Sequence, residues 1–443
     1  MVAHSFELPG VPAELPALLQ AAAGAQPLAL VGGAVRDLLL HRVHNDPWRG
    51  LVDLDLVVEG SAHVFVERLQ EELLAREAAS GEAHLVAAQE HGAYGTVELE
   101  LRLAGQTVLL DVATARRETY LQLGENPAVA FGSLVDDLAR RDFTINAMAL
   151  LLSSISPEPG PVDSSEALLD PHSGQLDLEQ RQLRLLHQGS VADDPTRLVR
   201  GARYAARLGF ELAAASVEQA RCTLVAWPWS WRHGDPPGLA PAALGTRLRM
   251  ELELLLEREP WPQALAALQH WGGLKLLDAA LQAEAAPVRD RRLRWAARLG
   301  IGRLTALLAG ASDPLALAER LQLPHRQHKL LVQWLALRRR WLQLLEQPPG
   351  LPHDPVDAAP TTAAQWSLWL EAAGSSSEAV ALELACGDLL PRRPLLRWWL
   401  RWRHLKAPLS AAQLIEAEGL RPGPVLGERL RQLRVQCLER ERC

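Results

Sequence analysis

The chain of 443 residues is short of the features that mark several protein classes. No stretch approaches the eighteen or so consecutive apolar residues of a membrane helix; the longest candidate, Ala147 to Leu152, is a few residues of core. The start, Met1 to Gly10, has no basic region followed by an apolar one, so no secretory signal is expected and the expected location is cytoplasmic. Its four cysteines, Cys222, Cys386, Cys437 and Cys443, form no CxxC pair, which argues against both a zinc site and a disulfide framework. Lysine is almost absent, at Lys275, Lys329 and Lys406 only, and the formal charge of −7 gives no global attraction to nucleic acid. Any such binding must use a local patch. With 48% hydrophobic and 22% charged residues, a disordered or fibrous chain is excluded, and the length suits about three domains.

What is present divides the chain in two. Only Trp48 precedes residue 200, whereas the other thirteen of the 14 tryptophans lie between Trp227 and Trp402. Up to about Leu152, β-like runs (Leu28–Val31, Asp53–Val58, Val97–Leu101, Thr107–Val112) alternate with helical stretches such as Ala62–Ala79, as in an α/β or α+β domain. Ser153 to Ser165, rich in Pro, Ser and Gly, reads as a loop or linker. Beyond it, Leu, Ala, Arg and Trp recur at three- and four-residue spacing, which predicts an all-helical second half.

Four segments carry chemistry. In Leu28–Leu40 an apolar strand runs into Gly32 and Gly33 and then a helix opening with Arg36 and Asp37. Paired glycines let the backbone approach an anion near a helix N-terminus, and Arg36 adds a fork of donors. The segment lacks the third glycine of a GxGxxG fingerprint and the GK[ST] of a P-loop. Alone it is equally a strand-to-helix turn with an exposed arginine. In Val52–Val58, Asp53 and Asp55 alternate with Leu54 and Leu56, and residues i and i+2 share a strand face about 6.5–7 Å apart. Asp111, ending the run Val108–Val112, is expected on a neighbouring strand. Three converging carboxylates repel, and hard oxygen ligands of this kind suit Mg²⁺ completed by water and phosphate oxygens. Two such ions about 3.5–4 Å apart stabilise the attacking and leaving oxygens of an in-line phosphoryl displacement. The third segment, Asp136–Leu150, sets Arg140, Arg141 and Asp142 before Thr144 and Asn146. In the fourth, Ser190–Phe210, Arg197, Arg200, Arg203 and Arg207 span about 120° of one helix face, opposite Leu198, Val199, Ala202, Ala206 and Leu208.

The order GGAVRD, DLD, DVATARRETY, DDLARRDFTINAMA, LLDPHSGQLDL, DDPTRLVRGARYAARLGF resembles the bacterial tRNA nucleotidyltransferase and poly(A) polymerase family, class II of the superfamily that includes DNA polymerase beta. The resemblance covers about residues 28–210. It implies an α+β fold: a polymerase beta-like head with a mixed sheet (1–152), a helical base-selecting neck (153–215), and a helical body and tail that hold tRNA (216–443). It implies that Asp53 and Asp55 bind metal, Mg²⁺, with Asp111 as a third catalytic carboxylate. Gly32, Gly33 and Arg36 resemble the phosphate turn, and Arg141 with Asp142 the contacts to ribose and phosphates. Asp170, Gly174, Asp177 and Leu178 resemble the head-to-neck coupling motif and are read as structural. Asp194, Arg197, Arg200 and Arg203 resemble the base-reading and phosphate-side residues of the neck.

The implied activity is a nucleotidyltransferase that adds C and A from CTP and ATP to the 3′ end of tRNA. Addition of A alone, poly(A) synthesis, and a non-catalytic RNA-binding protein on the same scaffold are the alternatives. Two departures stand out. Asp193 replaces the glutamate usual before the templating Asp, a shorter acid that would loosen the C-to-A switch, and the segment HRVHNDPWRGLV (41–52) is longer than usual. Tyr120 to Ser133 lies where the family's flexible loop governs the terminal A; its presence argues against a CC-only enzyme. For RNA, Pro391–Lys406 offers Arg392, Arg393, Arg397 and Arg401 between Trp398, Trp399 and Trp402, and Arg289–Arg303 is a second basic stretch. A helix with a buried aromatic face is the competing reading of that interleaving.

Overall fold

The computed structural model describes residues 9–50, 53–80, 83–91, 95–152, 167–346, 359–372 and 374–441. The expected linker at 153–165 lies outside them, as do Cys443 and Leu51–Val52 of the long 41–52 segment. Contacts group the chain into two compact units, the first comprising residues 1–232, 241–251 and 258–273 and the second the remainder.

The first unit is built on a mixed seven-stranded sheet. Strand β1 (Leu28–Val31) is buried along its whole length, which suits an uninterrupted apolar run at a sheet centre. It pairs antiparallel with β2 (Leu54–Val58) and with β8 (Ala149–Leu151). Strand β2 runs parallel to β5 (Gln106–Thr114), with Asp55 opposite Asp111. Strands β3 (Ala83–His91) and β4 (Thr96–Leu103) extend the sheet on the β5 side, and β9 (Leu168–Leu169) closes the other edge, giving the order β3-β4-β5-β2-β1-β8-β9. A separate hairpin, β6 (Arg116–Thr119) with β7 (Ala128–Phe131), carries no apolar alternation in sequence. Its β7 strand is exposed throughout, with Phe131 at 79%.

Helix α1 (Leu15–Ala23) packs on α3 (Ala62–Ser80), while α2 (Gly33–Arg42) follows the glycine turn. Helix α4 (Leu134–Ala139) begins at a capping box in which Ser133 and Asp136 exchange hydrogen bonds, and its short length ends in the Arg140–Arg141–Asp142 triplet. The long segment before β2 is tied down by Asp46, whose carboxylate accepts from Arg181 (2.7 Å), and by the Trp48 ring against His41. The Asp170–Leu178 segment is held by hydrogen bonds within the protein. Asp170 accepts from the Gly174 N–H (2.6 Å), and buried Asp177 accepts from Thr144 Oγ1 (2.6 Å). A Cβ at Gly174 would lie 2.4 Å from the Thr144 carbonyl, so only glycine permits this approach. The arginine-rich helix Thr196–Leu208 follows, with Leu198, Val199, Ala202 and Leu208 on its buried side.

The second unit is helical, with a tryptophan-rich core around Trp341, Trp366, Trp398 and Trp402. This settles the Arg–Trp interleaving in favour of a buried aromatic face. Trp398 donates its indole N–H to Glu371 (2.9 Å), Arg403 lies 3.5 Å over the Trp399 ring, and Arg392 lies 4.5 Å over Trp295. Arg401 reaches Glu441 at 2.9 Å, while Arg393 is exposed. The stretch Arg289–Arg303 is less of a surface patch than its composition suggested: Arg289 and Arg292 are buried, and Arg292 is paired with Glu284. A guanidinium whose stem is covered and whose head is already bonded has little left for phosphate.

Candidate active site

In the first unit the β1–α2 turn, β2, β5, the β6 strand, α4 and the arginine helix enclose a cavity of about 430 Å³. Its lining includes Gly32, Gly33, Asp55, Asp111, Asp142, Asp194, Arg141, Arg197 and Arg200, all singled out in the sequence. Gly32 adopts φ +71°, ψ −133°, and a Cβ there would meet Arg141 at 3.0 Å and the Asp55 carboxylate at 3.2 Å. The glycine turn therefore presses backbone between a cation and an acid.

Two carboxylates, Asp55 and Asp111, share the cavity wall as register partners on parallel strands about 4.8 Å apart. Burial, only partly offset by Arg141 and reinforced by the charges of Asp53 and Asp111, pushes the Asp55 carboxyl up to about 6. Burial together with Asp53 and Glu98 likewise raises Asp111. Asp53 precedes the first residue of β2, is exposed, and lines a smaller cavity of about 240 Å³ with Trp48 and Thr107 rather than the main one. The three acids are thus brought together as a pair and a neighbour. Among the described residues no three histidine, cysteine or carboxylate side chains form a ready metal centre. The donor set nevertheless suits a hard divalent cation: burial and mutual repulsion lift two half-buried carboxyls, and such an ion relieves both.

Facing the acids is a set of arginines held by acids of their own. Asp137 accepts from Arg140 (2.7 Å) and Arg141 (2.9 Å); burial raises its pKa, but the two guanidiniums outweigh that and hold it below the ordinary carboxylate range. Asp142 accepts from the Phe143 N–H (2.8 Å), Asn146 Nδ2 (3.0 Å) and Arg200 Nε (2.9 Å), and here too burial is overcome, with Arg200 the largest opposing influence. Asp142 thus fixes Arg200 and Asn146 at the cavity wall.

Arg36 departs from its expected place. It is buried at 3% exposure, does not line the cavity, and donates to Asp37 (2.8 Å) and to Asn146 Oδ1 (2.9 Å). It supports the glycine turn, with its guanidinium against Gly33. Arg203 is also outside the lining, occupied by Glu251 and Glu259, and Arg207 pairs with Glu259. Only two of the four arginines on that helix face reach the cavity.

Before the arginine helix, Asp194 is buried, with Oδ1 accepting from the Thr196 N–H (3.0 Å) and Oγ1 (2.6 Å). Arg197 uses Nη2 on the Arg140 carbonyl (2.9 Å) and Nη1 on the Ser190 carbonyl (3.3 Å). Several lining residues were not singled out in the sequence. Glu118 bridges Arg116 (3.0 Å) and Arg140 (3.2 Å). Tyr120 lies among Arg197, Asp194 and Arg247, its phenol pushed up to about 12 by burial and so neutral. Arg247 pairs with Asp194. Glu118 and Tyr120 sit in the RRETY motif, where a signal existed; Arg247, in an arginine-rich helix, had none. The Tyr120–Ser133 segment is anchored rather than free-standing, since Gly124 donates to the Asp193 carbonyl (3.1 Å) and accepts from Ala243 (2.9 Å).

Comparison with known proteins places this geometry. A Poly A polymerase head domain model matches residues 28–184. The CC-adding tRNA nucleotidyltransferase of Deinococcus radiodurans is 38% identical over 70% of this chain and 70% of its own length. That of Geobacter sulfurreducens is 30% identical over 96% of this chain and 91% of its own. The chain belongs to the tRNA nucleotidyltransferase and poly(A) polymerase family. It is accordingly a nucleotidyltransferase, as the motif order implied. The fold is shared with the Thermotoga maritima CCA-adding enzyme complexed with tRNA (TM-score 0.63, 23% identity, 97% of this chain and 92% of that one).

Proposed function

We propose that this nucleotidyltransferase joins C and A residues from CTP and ATP to the 3′ end of tRNA. The observation that carries the reading is the single cavity in which an acid pair, a set of fixed arginines and the Asp194–Arg197 pair face one another. The RNA 3′-hydroxyl attacks the α-phosphorus of the nucleotide, the bond from that phosphorus to the bridging oxygen breaks, and pyrophosphate leaves. Asp55 and Asp111, with Asp53 beside them, are the residues to hold Mg²⁺, which when bound supplies Lewis-acid stabilisation of phosphoryl oxygens. Arg141 and Arg200, oriented by Asp137 and Asp142, bind the triphosphate. Gly32 keeps the floor of the cavity open to it.

Base choice follows from hydrogen-bond polarity. Asp194 accepts and faces the amine N4 of cytosine or N6 of adenine; Arg197 donates, through N–H groups not used on carbonyls, to N3 or N1. Uracil and guanine present a carbonyl to the acid and an N–H to the cation, so both contacts are mispaired, at about 1–3 kcal/mol for each good pair forgone. The enzyme templates C and A with protein alone. A cytoplasmic location belongs to the same proposal, because tRNA maturation supplies its substrate.

A second reading, addition of CC only, is favoured by one observation: relatives that cover 70% and 96% of the chain are CC-adding enzymes. Extension of a tRNA lacking its CCA end, sized at single-nucleotide resolution, tests both. Growth by three residues with CTP and ATP supports the first, arrest after two the second, and no growth removes both.

A further inference from the structure

We propose that Arg247 is a specificity-determining residue of this enzyme, locking the Asp194 carboxylate in its base-reading orientation and presenting a free donor to the incoming nucleobase. The inference rests on the proposed reading of Asp194 as a base contact. Asp194 lies at the C-terminal end of helix Ser190–Asp193 in extended conformation, with Oδ1 fixed by Thr196 and Oδ2 bonded to Arg247 Nη2. Oδ1 already accepts two bonds from Thr196, whereas Oδ2 accepts one from Arg247 and retains a lone pair for a base amine, so the acid is held without being spent.

Arg247 is well placed to be a fixed strut. It lies in the first turn of helix Thr246–Arg258, directly after Ala243 and Leu244, both fully buried, with the Ala243 N–H bonded to the Gly124 carbonyl at 2.9 Å. Its side chain lines the same cavity as Asp194 and Arg197. Its Nη1 is buried and has no hydrogen-bond partner among the described residues. A buried donor left unmet is costly, and within a nucleotide cavity the group able to satisfy it is an acceptor on the ligand.

Selection depends on Asp194 presenting acceptors to the base. An ionised Asp194 only accepts and so rejects the carbonyl of uracil or guanine. A neutral carboxyl also carries an O–H that donates to that carbonyl, which would erase the distinction. Arg247, donating to Oδ2, is matched to an accepting carboxylate.

The test is the ratio of kcat/KM for CTP over UTP on a tRNA lacking CCA, in wild type, Arg247→Ala and Arg247→Lys. The expected result is a fall in that ratio of about tenfold or more in Arg247→Ala, the scale of one missing base-edge match, with the KM for tRNA unchanged. Arg247→Lys, keeping the charge but not the second donor, is expected to recover discrimination against UTP while its KM for CTP stays raised. A general loss of structure would lower all nucleotides alike. If Arg247→Ala does not fold, Arg247→Lys with a wild-type KM for CTP overturns the proposal, as does an unchanged ratio in Arg247→Ala. Wild-type enzyme that adds no C or A fails the functional reading instead, so the two failures are distinct.

Discussion

Replacing Gly32 with alanine perturbs the site at the point where backbone, acid and cation are closest. At φ +71° and ψ −133° an L-residue sits in a region populated essentially by glycine, at a cost of order 1–3 kcal/mol. The new Cβ would stand 3.0 Å from an Arg141 nitrogen and 3.2 Å from an Asp55 oxygen. The guanidinium tip can yield by a few tenths of an ångström, but it is held by Asp137 at 2.9 Å, and Asp55 is fixed within β2. Both groups must shift, and displacement of catalytic groups by about 1 Å lowers rates by about 100-fold. Since the shifts needed are a few tenths of an ångström, Gly32→Ala is expected to lower kcat for nucleotide addition by about tenfold, short of the factor for a full ångström, with a loss of about 1–3 kcal/mol in urea unfolding. Single-turnover extension and equilibrium denaturation read the two effects separately. A variant with wild-type kcat would refute the placement of the glycine turn against Asp55 and Arg141.

Three further outcomes are expected. Asp55→Asn should abolish transfer yet raise the metal-free thermal midpoint, because burial and the neighbouring Asp53 and Asp111 lift its carboxyl from 3.8 to about 6. With the folded pKa above the unfolded one, stability is lost as pH rises from 3.8 to about 6, and the amide removes that loss; Mg²⁺ should then raise the wild-type midpoint more than the variant's. Gly174→Ala, whose Cβ would lie 2.4 Å from a backbone carbonyl, should destabilise by about 1–3 kcal/mol or more in chemical denaturation, and a neutral result would contradict the close head-to-neck packing. Arg393→Glu with Arg401→Glu should reduce the log–log salt slope of tRNA binding by about 0.7–0.9 for each phosphate no longer neutralised, while costing less than about 1 kcal/mol of stability since the Arg401 pair is exposed. An unchanged slope takes this surface out of the RNA-binding account.

The strand–glycine–helix turn, the acid-bearing strand and the arginine helix were all legible because each is a local pattern. Apolar period, glycine pairing and helical spacing are set within a dozen residues, and β1, β2, β4, β5 and α3 follow them. Strand β3 and the β6–β7 hairpin were not, since their exposed faces leave no clean alternation. The direction in which an arginine is used is a tertiary fact. Arg36 turns inward to Asn146, 110 residues along the chain, and Arg203 meets Glu251 across 48. Neither partner is marked by spacing. The same limit hid Arg247, and it left Trp398 and Trp402 readable as RNA-facing or core until helix packing buried them. Asp53 was read as sharing a face with Asp55, but its position before the start of β2, beside Trp48, sets it toward a different cavity.

The central claim is that the Asp55 and Asp111 wall of the arginine-lined cavity transfers a nucleotide to RNA. Its most direct measurement is single-turnover incorporation of α-labelled CTP into a tRNA lacking its CCA end, with Mg²⁺, in wild type beside Asp55→Asn. The account predicts labelled C at the 3′ end with one pyrophosphate released per residue in the wild type, and neither in the variant. Equal incorporation by both proteins would contradict it.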